Sequence, residues 1–403
     1  MTNRANDSQQ AQDADTSARA ASIMNQLHLP SLYISGFRGI DELNLPKLAQ
    51  VTLFVGDNGV GKSTILDAVR LYAARGNINA IARLLDSREE FSEAWEDGKL
   101  VNNLSWPALF HRSTFEEDQR LEIGPASESH GGRGLVIETV TLDEDSEEVK
   151  RRRREAGGGT SGTFFKVVVR FDGEEWRLYH DDLQKAKPSS SSSAEIEMAA
   201  AMERREQADE TECVSVSSGL SNNDDLGQMW DEIALTSFED MVVQILRSVV
   251  GPDLERIGVV GRPLGPLYRP ERRVIARLSD DSERMPLKSL GDGAMRIFEM
   301  AVALANSTDG YLLIDEVENG IHYSHLEDLW RMVFEAAKEH NIQVIATTHS
   351  FDCVAGFARV ANSIPGDNGM LIRLDRDEDG ELGAATYTED LLQISEEMGI
   401  EVR

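Results

Sequence analysis

Gly56-Asp57-Asn58-Gly59-Val60-Gly61-Lys62-Ser63 has the spacing G-x-x-x-x-G-K-[ST], and these residue types at that spacing can hold a phosphate. Glycines without side chains let several main-chain N–H groups crowd one anion, and a helix starting at the end of the loop adds its positive pole. In this reading Asn58, Gly59, Gly61, Lys62, Ser63 and Thr64 surround the phosphates of a nucleotide. Lys62 reaches the β- and γ-phosphates, and Ser63 ligates Mg²⁺. Far along the chain, Tyr311-Leu312-Leu313-Ile314 is followed by two carboxylates, Asp315 and Glu316. At the tip of a strand, Asp315 can hold Mg²⁺ directly or through water, and Glu316 can polarise the water that attacks the γ-phosphate. A third stretch, Ile342-Gln343-Val344-Ile345-Ala346, ends in Thr347-Thr348-His349-Ser350. There His349 can donate a hydrogen bond to the γ-phosphate. A lone histidine is more often structural, and only convergence with the other two tips makes it functional.

The elements that must position these groups can be read from the hydrophobic pattern. Val51 to Val55 is an apolar run of strand length. Ile65, Leu66, Ala68, Val69, Leu71 and Tyr72 recur at helical spacing behind the loop. The run before Asp315 suits a strand buried on both faces of a parallel sheet. Lys288-Ser289-Leu290-Gly291-Asp292-Gly293 opens a further helix over Ala294 to Asn306, a second glycine-rich helix start and so a second place for an anion. One nucleotide needs only one cradle. The second turn either caps the nucleotide of another subunit or is an ordinary glycine turn.

The rest of the chain divides by composition. Residues 1–28 are rich in Asn, Gln, Asp, Ser, Thr and Ala and read as a disordered leader. Leu32-Tyr33-Ile34 begins a strand, so the nucleotide-binding sheet is expected to start near residue 29. Residues 29–120 form the first part of the nucleotide-binding core, with a helix over Asn79 to Leu85. Residues 121–234 form a β lobe with inserted loops and a helix, and 235–403 the second part of the core. Within the lobe, Arg120–Ile123, Gly134–Thr141, Phe164–Phe171 and Glu175–Tyr179 read as antiparallel strands, with Asp172-Gly173 in a hairpin turn. An acidic block (Asp143–Glu148), a basic run (Lys150–Arg154) and a serine run (Ser189–Ser193) read as solvated loops, and Glu195–Glu206 as a short helix. Helical spacing returns at Phe238–Val249, and Leu254–Val260 and Arg273–Leu278 read as strands.

The 403 residues carry a net charge of −30 and a pI of about 4.6, with 40% hydrophobic residues. So acidic a surface repels nucleic acid over most of its area, although a local basic patch is compatible with it. The two cysteines, Cys213 and Cys353, lie far apart with no metal-ligand partners near them in sequence, as expected in a reducing cytoplasm. No apolar run approaches the roughly 18 residues of a membrane span, and the N-terminus lacks a basic-then-apolar signal peptide.

Taken together, these motifs resemble the ABC-type ATPases of the SMC/RecF class, and more specifically the OLD-like ATPases of bacteria and archaea. The matching residues are Gly36-Phe37-Arg38-Gly39, Gly56 to Ser63, Ser289 to Gly293, Ile314 to His322, Thr347 to Ser350, and the ending Tyr387 to Arg403. The likeness covers 29–75 and 235–403 well and 76–234 poorly. It implies an α/β fold: a P-loop ATPase head with a mixed sheet, an antiparallel β lobe and a helical insertion. It also implies ATP with Mg²⁺ and a head-to-tail sandwich of two or more copies. Lys62, Ser63, Asp315, Glu316 and His349 then serve one face, Arg38 contacts the nucleotide, and Ser289, Gly291, Asp292 and Gly293 complete the site from the partner. The usual signature is Ser-Gly-Gly; Gly291-Asp292-Gly293 stands in its place, which leaves open the group that touches the γ-phosphate in trans. The glutamine that usually senses Mg²⁺ has only Gln119 as a candidate.

Many such ATPases continue into a Toprim nuclease domain. Here the acidic Asp375-Arg376-Asp377-Glu378-Asp379-Gly380 reads as a hairpin turn rather than a nuclease metal site. The expected arrangement is a stand-alone ATPase controlling a separately encoded effector, such as a Toprim nuclease, resembling those of anti-phage systems such as PARIS. The alternatives are a RecF-type DNA-end-binding ATPase, against which the acidity and the lack of a long coiled coil count, a transporter subunit, which lacks its Leu-Ser-Gly-Gly-Gln signature here, and a nuclease.

Overall fold

A computed structural model describes residues 27–96, 99–112, 119–126, 134–143, 145–147, 149–150, 165–179, 211–219, 222–262, 271–279, 283–364, 366 and 368–388. The leader up to residue 26, Arg151–Arg154 of the basic run, the serine run, the Glu195–Glu206 helix and the ending beyond Thr388 lie outside the described residues.

The strands in chain order are β1 (Leu32–Phe37), β2 (Ile40–Leu45), β3 (Val51–Val55), β4 (Phe91–Glu96), β5 (Lys99–Leu104), β6 (Arg120–Gly124), β7 (Leu135–Thr141), β8 (Phe165–Phe171), β9 (Glu174–Tyr179), β10 (Cys213–Val216), β11 (Leu254–Arg262), β12 (Glu271–Leu278), β13 (Met285–Pro286), β14 (Tyr311–Ile314), β15 (Gln343–Thr347), β16 (Gly369–Arg376) and β17 (Leu382–Thr388). The helices are α1 (Lys62–Ala73), α2 (Ile78–Ser87), α3 (Asn223–Ile233), α4 (Ser237–Val250), α5 (Asp292–Ala305), α6 (Leu326–Glu339) and α7 (Phe351–Ser363).

One six-stranded sheet runs β10-β14-β15-β3-β16-β17. Its first five strands are parallel and β17 is antiparallel. β3, β14 and β15 are buried at every residue, as a sheet covered on both faces requires. Phe54, Leu313 and Ile345 point to one face, where they pack with Ile65 and Val69 of α1. Leu53, Ile314 and Val344 point to the other, against Trp330 of α6 and Phe357 of α7.

A second six-stranded sheet, β2-β1-β6-β7-β8-β9, is antiparallel throughout and covers the far side of α1. This corrects the sequence expectation that the nucleotide sheet starts near residue 29, because β1 and β2 belong to the antiparallel sheet. The physical reason lies in their pattern. In β2 only Ile40, Leu43 and Leu45 are buried while the residues between face water, and one wet face is what an antiparallel sheet tolerates and a helix-covered parallel sheet does not. The opposite correction holds at β10, which falls in the stretch assigned to the β lobe but pairs with β14 in the nucleotide sheet.

α3, α4 and α5 pack with the small sheet β11-β12-β13 around a third core that includes Trp230, Leu246, Ile257 and Phe298. α5 starts at Asp292, two residues earlier than expected, behind a short 3-10 turn at Leu287–Leu290. The acidic stretch near residue 377 is the hairpin turn between β16 and β17, where the Asp377 carboxylate accepts from the N–H groups of Asp379 and Glu381 at 3.0 and 2.8 Å. Among the described residues, no helix is long and apolar enough to cross a membrane.

Candidate nucleotide site

Because β14, β15 and β3 are adjacent and parallel, their C-terminal ends lie side by side, with β15 in the middle. The three candidate segments therefore meet. α1 begins at Lys62 behind Gly61, which has φ +127 and offers no side-chain cap, so the first N–H groups of the helix remain available to an anion. Gly56 could carry no side chain, since a Cβ there would sit 2.3 Å from the Leu374 carbonyl oxygen.

Lys62 is 4% exposed. Its Nζ donates to the carbonyls of Gly56 at 2.7 Å and Asp57 at 3.0 Å, and lies 3.2 Å from Nδ1 of His349. Burial pushes the ammonium below its ordinary range, opposed by the negative charges of Asp315, Glu316, Glu318 and Asp57. Ser63 Oγ donates to the Asp315 carboxylate at 2.9 and 3.1 Å. Thr347 Oγ1 donates to Asp315 Oδ1 at 2.6 Å and accepts from the Glu316 N–H at 2.9 Å. Glu316 sits at φ +53, a left-handed conformation that costs a side-chain-bearing residue about 1 kcal/mol or more. Its Oε1 lies 3.5 Å from His349 Nε2 and its Oε2 accepts from Asn319 Nδ2 at 2.5 Å. A cavity of about 410 Å³ opens above, lined by Val55, Gly56, Asp57, Asn58, Thr348, His349 and Val354.

The structure thus brings Lys62, Ser63, Asp315, Glu316 and His349 into one connected group, with Asn58, Gly59, Gly61 and Thr64 on the same loop and helix start. The donor set suits Mg²⁺. A hydroxyl and a carboxylate already in hydrogen-bond contact offer oxygens only, and this ion takes one or two protein ligands and completes its shell with water and substrate oxygens. Among the described residues no cluster of three or more His, Cys, Asp or Glu forms a closed metal cage.

Ser289, Gly291, Asp292 and Gly293 do not line the cavity. They form the turn into α5, with Gly291 at φ +108 and Ser289, Gly291 and Asp292 exposed. Arg38 is engaged by two carboxylates. Its guanidinium bonds Asp67 at 3.2 Å and pairs closely with Glu90. Asp67 lies one helical turn beyond Ser63 and also holds Arg88 at 2.9 Å. Burial lifts the Asp67 carboxyl above its usual range against the pull of these two arginines. Gln119 lies at the antiparallel sheet, where its main chain bonds Thr139.

Sequence reasoning passed over several residues that organise the site. Glu318 accepts from Thr348 Oγ1 at 2.6 Å and from the His349 N–H at 2.8 Å, fixing the histidine's backbone. Thr347 and Asn319 anchor Glu316. Arg296 of α5, 2% exposed, donates to the Asp315 carbonyl at 3.1 Å. The only available signal was proximity in sequence to the Asp-Glu pair, and it does not reach Arg296.

The model of the family described as "AAA domain, putative AbiEii toxin, Type IV TA system" matches residues 51–352, a span holding every element of this site. An uncharacterized protein of Methanocaldococcus jannaschii is 32% identical over 114 residues, 28% of this chain and 99% of that protein. A Helicobacter pylori protein named ATP/GTP phosphatase is 34% identical over 77 residues, 18% of this chain; the match spans 21% of that relative's length. Among solved structures, an Smc head bound to the C-winged helix domain of ScpA aligns over 92% of this chain and 99% of its own, at 12% identity and a TM-score of 0.46. The SMC head domain from Thermotoga maritima aligns over 90% and 99%, at 15% identity and a TM-score of 0.39.

Proposed function

The chain belongs to this AAA-domain family, and on that footing we propose that it binds ATP with Mg²⁺ at the three strand ends and hydrolyses it. A second copy completes the site through its Ser289–Gly293 turn, and the nucleotide state is passed to a separate effector protein, in anti-phage defence. The observation that carries the hydrolytic reading is the connected group itself. Lys62, Ser63, Asp315, Glu316 and His349 come from three separate segments and meet within hydrogen-bond reach or 3.5 Å.

In this reading the N–H groups at the start of α1 and the Lys62 ammonium bind and orient the β- and γ-phosphates. Ser63 and Asp315 hold Mg²⁺, which when bound neutralises charge on the phosphate oxygens. Glu316 polarises the attacking water and takes its proton at a carboxylate oxygen. His349, between Lys62 and Glu316, donates to the γ-phosphate. The name of the Helicobacter pylori relative supports hydrolysis. The toxin–antitoxin wording of the family description supports a two-component system with a separate effector. The exposure of Ser289, Gly291 and Asp292, which do not line the cavity, supports a role in trans. The test is phosphate release from Mg-ATP by the purified chain and by Asp315→Asn. Turnover lost in the variant is the expected result, and equal turnover in both overturns the assignment.

A second reading, with DNA as partner, has one observation in its favour. Ile257, Val274 and Ala276 point inward, so the opposite face of the β11–β12 ribbon carries Arg256, Arg273 and Arg277 in an otherwise acidic chain. DNA binding that weakens steeply with salt and stimulates hydrolysis would favour it.

A further inference from the structure

The three residues after β10, Ser217-Ser218-Gly219, have their carbonyls taken by two side chains from elsewhere in the fold. Arg296 Nη1 donates to the Ser217 oxygen at 2.6 Å and the Gly219 oxygen at 3.2 Å. Asn319 Nδ2 donates to the Ser218 oxygen at 3.2 Å. Each of the two side chains also reaches the acidic pair. Arg296 Nη2 donates to the Asp315 carbonyl at 3.1 Å, and Asn319 Nδ2 donates to Glu316 Oε2 at 2.5 Å. The short segment is thus clasped from both sides, and both clasps end at Asp315-Glu316.

Arg296 gives this arrangement its reach. It is the fifth residue of α5, at the start of the second turn and three residues after Gly293, and it is fully buried beside Glu299, whose carboxylate it bonds at 3.1 Å. A buried ion pair adds little net stability, because desolvation offsets the attraction, and its best attested use is to fix one arrangement over others. At the same helix start, a Cβ on Gly293 would lie 3.0 Å from the Gly320 carbonyl, so α5 also packs tightly on the loop that comes after Glu316. The helix whose N-terminal turn is exposed at Gly291–Asp292 and the carboxylate at Glu316 are therefore joined through hydrogen-bonded parts.

We propose that Asn319 and Arg296 are positioning residues for Glu316: through the Ser217–Gly219 segment they make the aim of that carboxylate depend on the seating of the α5 N-terminus, so that hydrolysis answers to what engages the glycine turn. The inference rests on the hydrolytic reading of the site. Neither side chain lines the cavity above the site. Asn319 holds one Glu316 oxygen, which leaves the other toward His349 and the attacking water. Arg296 holds the segment against which Asn319 is braced.

The experiment compares the turnover number for Mg-ATP with the equilibrium dissociation constant of a non-hydrolysable Mg-ATP analogue. The variants are Asn319→Ala, Asn319→Asp, Arg296→Met and the Asn319→Ala/Arg296→Met pair. Asn319→Asp keeps the side-chain shape but replaces the amide donor with a carboxylate facing Glu316 Oε2, so parent-like turnover in it would mean that shape alone suffices. The expected result is turnover lowered about 10–100-fold in both Asn319 variants, the size typical of groups that orient a reactive ligand, with the dissociation constant within about threefold of the parent. The double variant should be no slower than its slower single, because both act through one segment. Parent-like turnover in either Asn319 variant overturns the inference, as does a double variant whose loss is the product of the two single losses. If Arg296→Met does not fold, the Asn319 pair decides alone. A parent chain that does not hydrolyse ATP overturns the site reading and this inference with it. A hydrolysing parent matched by its Asn319 variants overturns this inference alone.

Discussion

Thr347→Val removes one hydroxyl from the middle of the site and keeps the shape of the side chain. Thr347 is 0% exposed, so water cannot replace what is lost. Two bonds disappear. The Glu316 N–H loses its acceptor at 2.9 Å, and an unpartnered buried donor costs about 1–3 kcal/mol. Asp315 loses a donor at 2.6 Å, and a hydrogen bond to a charged group contributes about 1.5–3 kcal/mol. Asp315 keeps Ser63, which pulls its share to the low end, and the added methyl returns about 1 kcal/mol of burial. The net expectation is a loss of about 1.5–3.5 kcal/mol. At about 2–4 °C per kcal/mol for a domain of 150–250 residues, and less for a longer chain, the midpoint should fall several degrees. Melts monitored by far-UV circular dichroism would compare the parent, Thr347→Val and Thr347→Ser. The serine variant keeps the hydroxyl and should lose only about 1 kcal/mol for its methyl. Hydrolysis by the valine variant should fall at least tenfold, since the left-handed backbone of Glu316 loses the bond that holds it. A valine variant as stable and as active as the serine variant would refute the reasoning.

The same geometry sets other outcomes. Glu316→Gln keeps the size of the side chain and removes the proposed base, so it should bind Mg-ATP at near parent affinity, turn over at least a hundredfold more slowly, and accumulate as a closed assembly on size exclusion. Gly56→Ala forces a Cβ to 2.3 Å from a backbone oxygen at φ +138 and should give unfolded or inactive protein, whereas at Gly59 nothing lies within 4 Å of the added carbon; Gly59→Ala should cost only about 1 kcal/mol of backbone strain at φ +76 and fold normally. Burial pushes the Cys353 thiol up to about 12, which leaves about one molecule in ten thousand as thiolate at pH 8. Alkylation of native protein should therefore spare Cys353 at that pH, and rapid labelling detected by mass spectrometry would contradict its burial.

The parts of the site carried by strand ends were legible in the sequence, because a strand buried on both faces is an unbroken apolar run and the residues just after it sit at the sheet's edge. Val51–Val55, Tyr311–Ile314 and Ile342–Ala346 announce themselves this way. That their ends adjoin required only a parallel sheet, which the structure provides. The parts that were not legible depend on bonds that leave no periodic trace. Arg296 and Asn319 bond main-chain carbonyls, and any residue supplies a carbonyl, so nothing in Ser217-Ser218-Gly219 marks it as their target. Arg38 pairs with Asp67 and Glu90 because α1 and the end of α2 place them near it, a relation absent from the local pattern. The antiparallel sheet was legible over β6–β9 but its membership was not, because β1 and β2 reach it across the intervening β3 and α1. β10 is four residues long, too short for alternation to be distinguished from chance.

The proposed function rests on Lys62, which is held by Gly56, Asp57 and His349, being the group that meets a bound triphosphate. Equilibrium titration of a fluorescent ATP analogue with Mg²⁺, into the parent chain and into Lys62→Ala, tests this most directly. The expected result is saturable binding by the parent and a loss of at least a hundredfold in affinity for the variant, with both melting alike in the absence of nucleotide. Equal affinity in the two, or no binding by a folded parent, would contradict it.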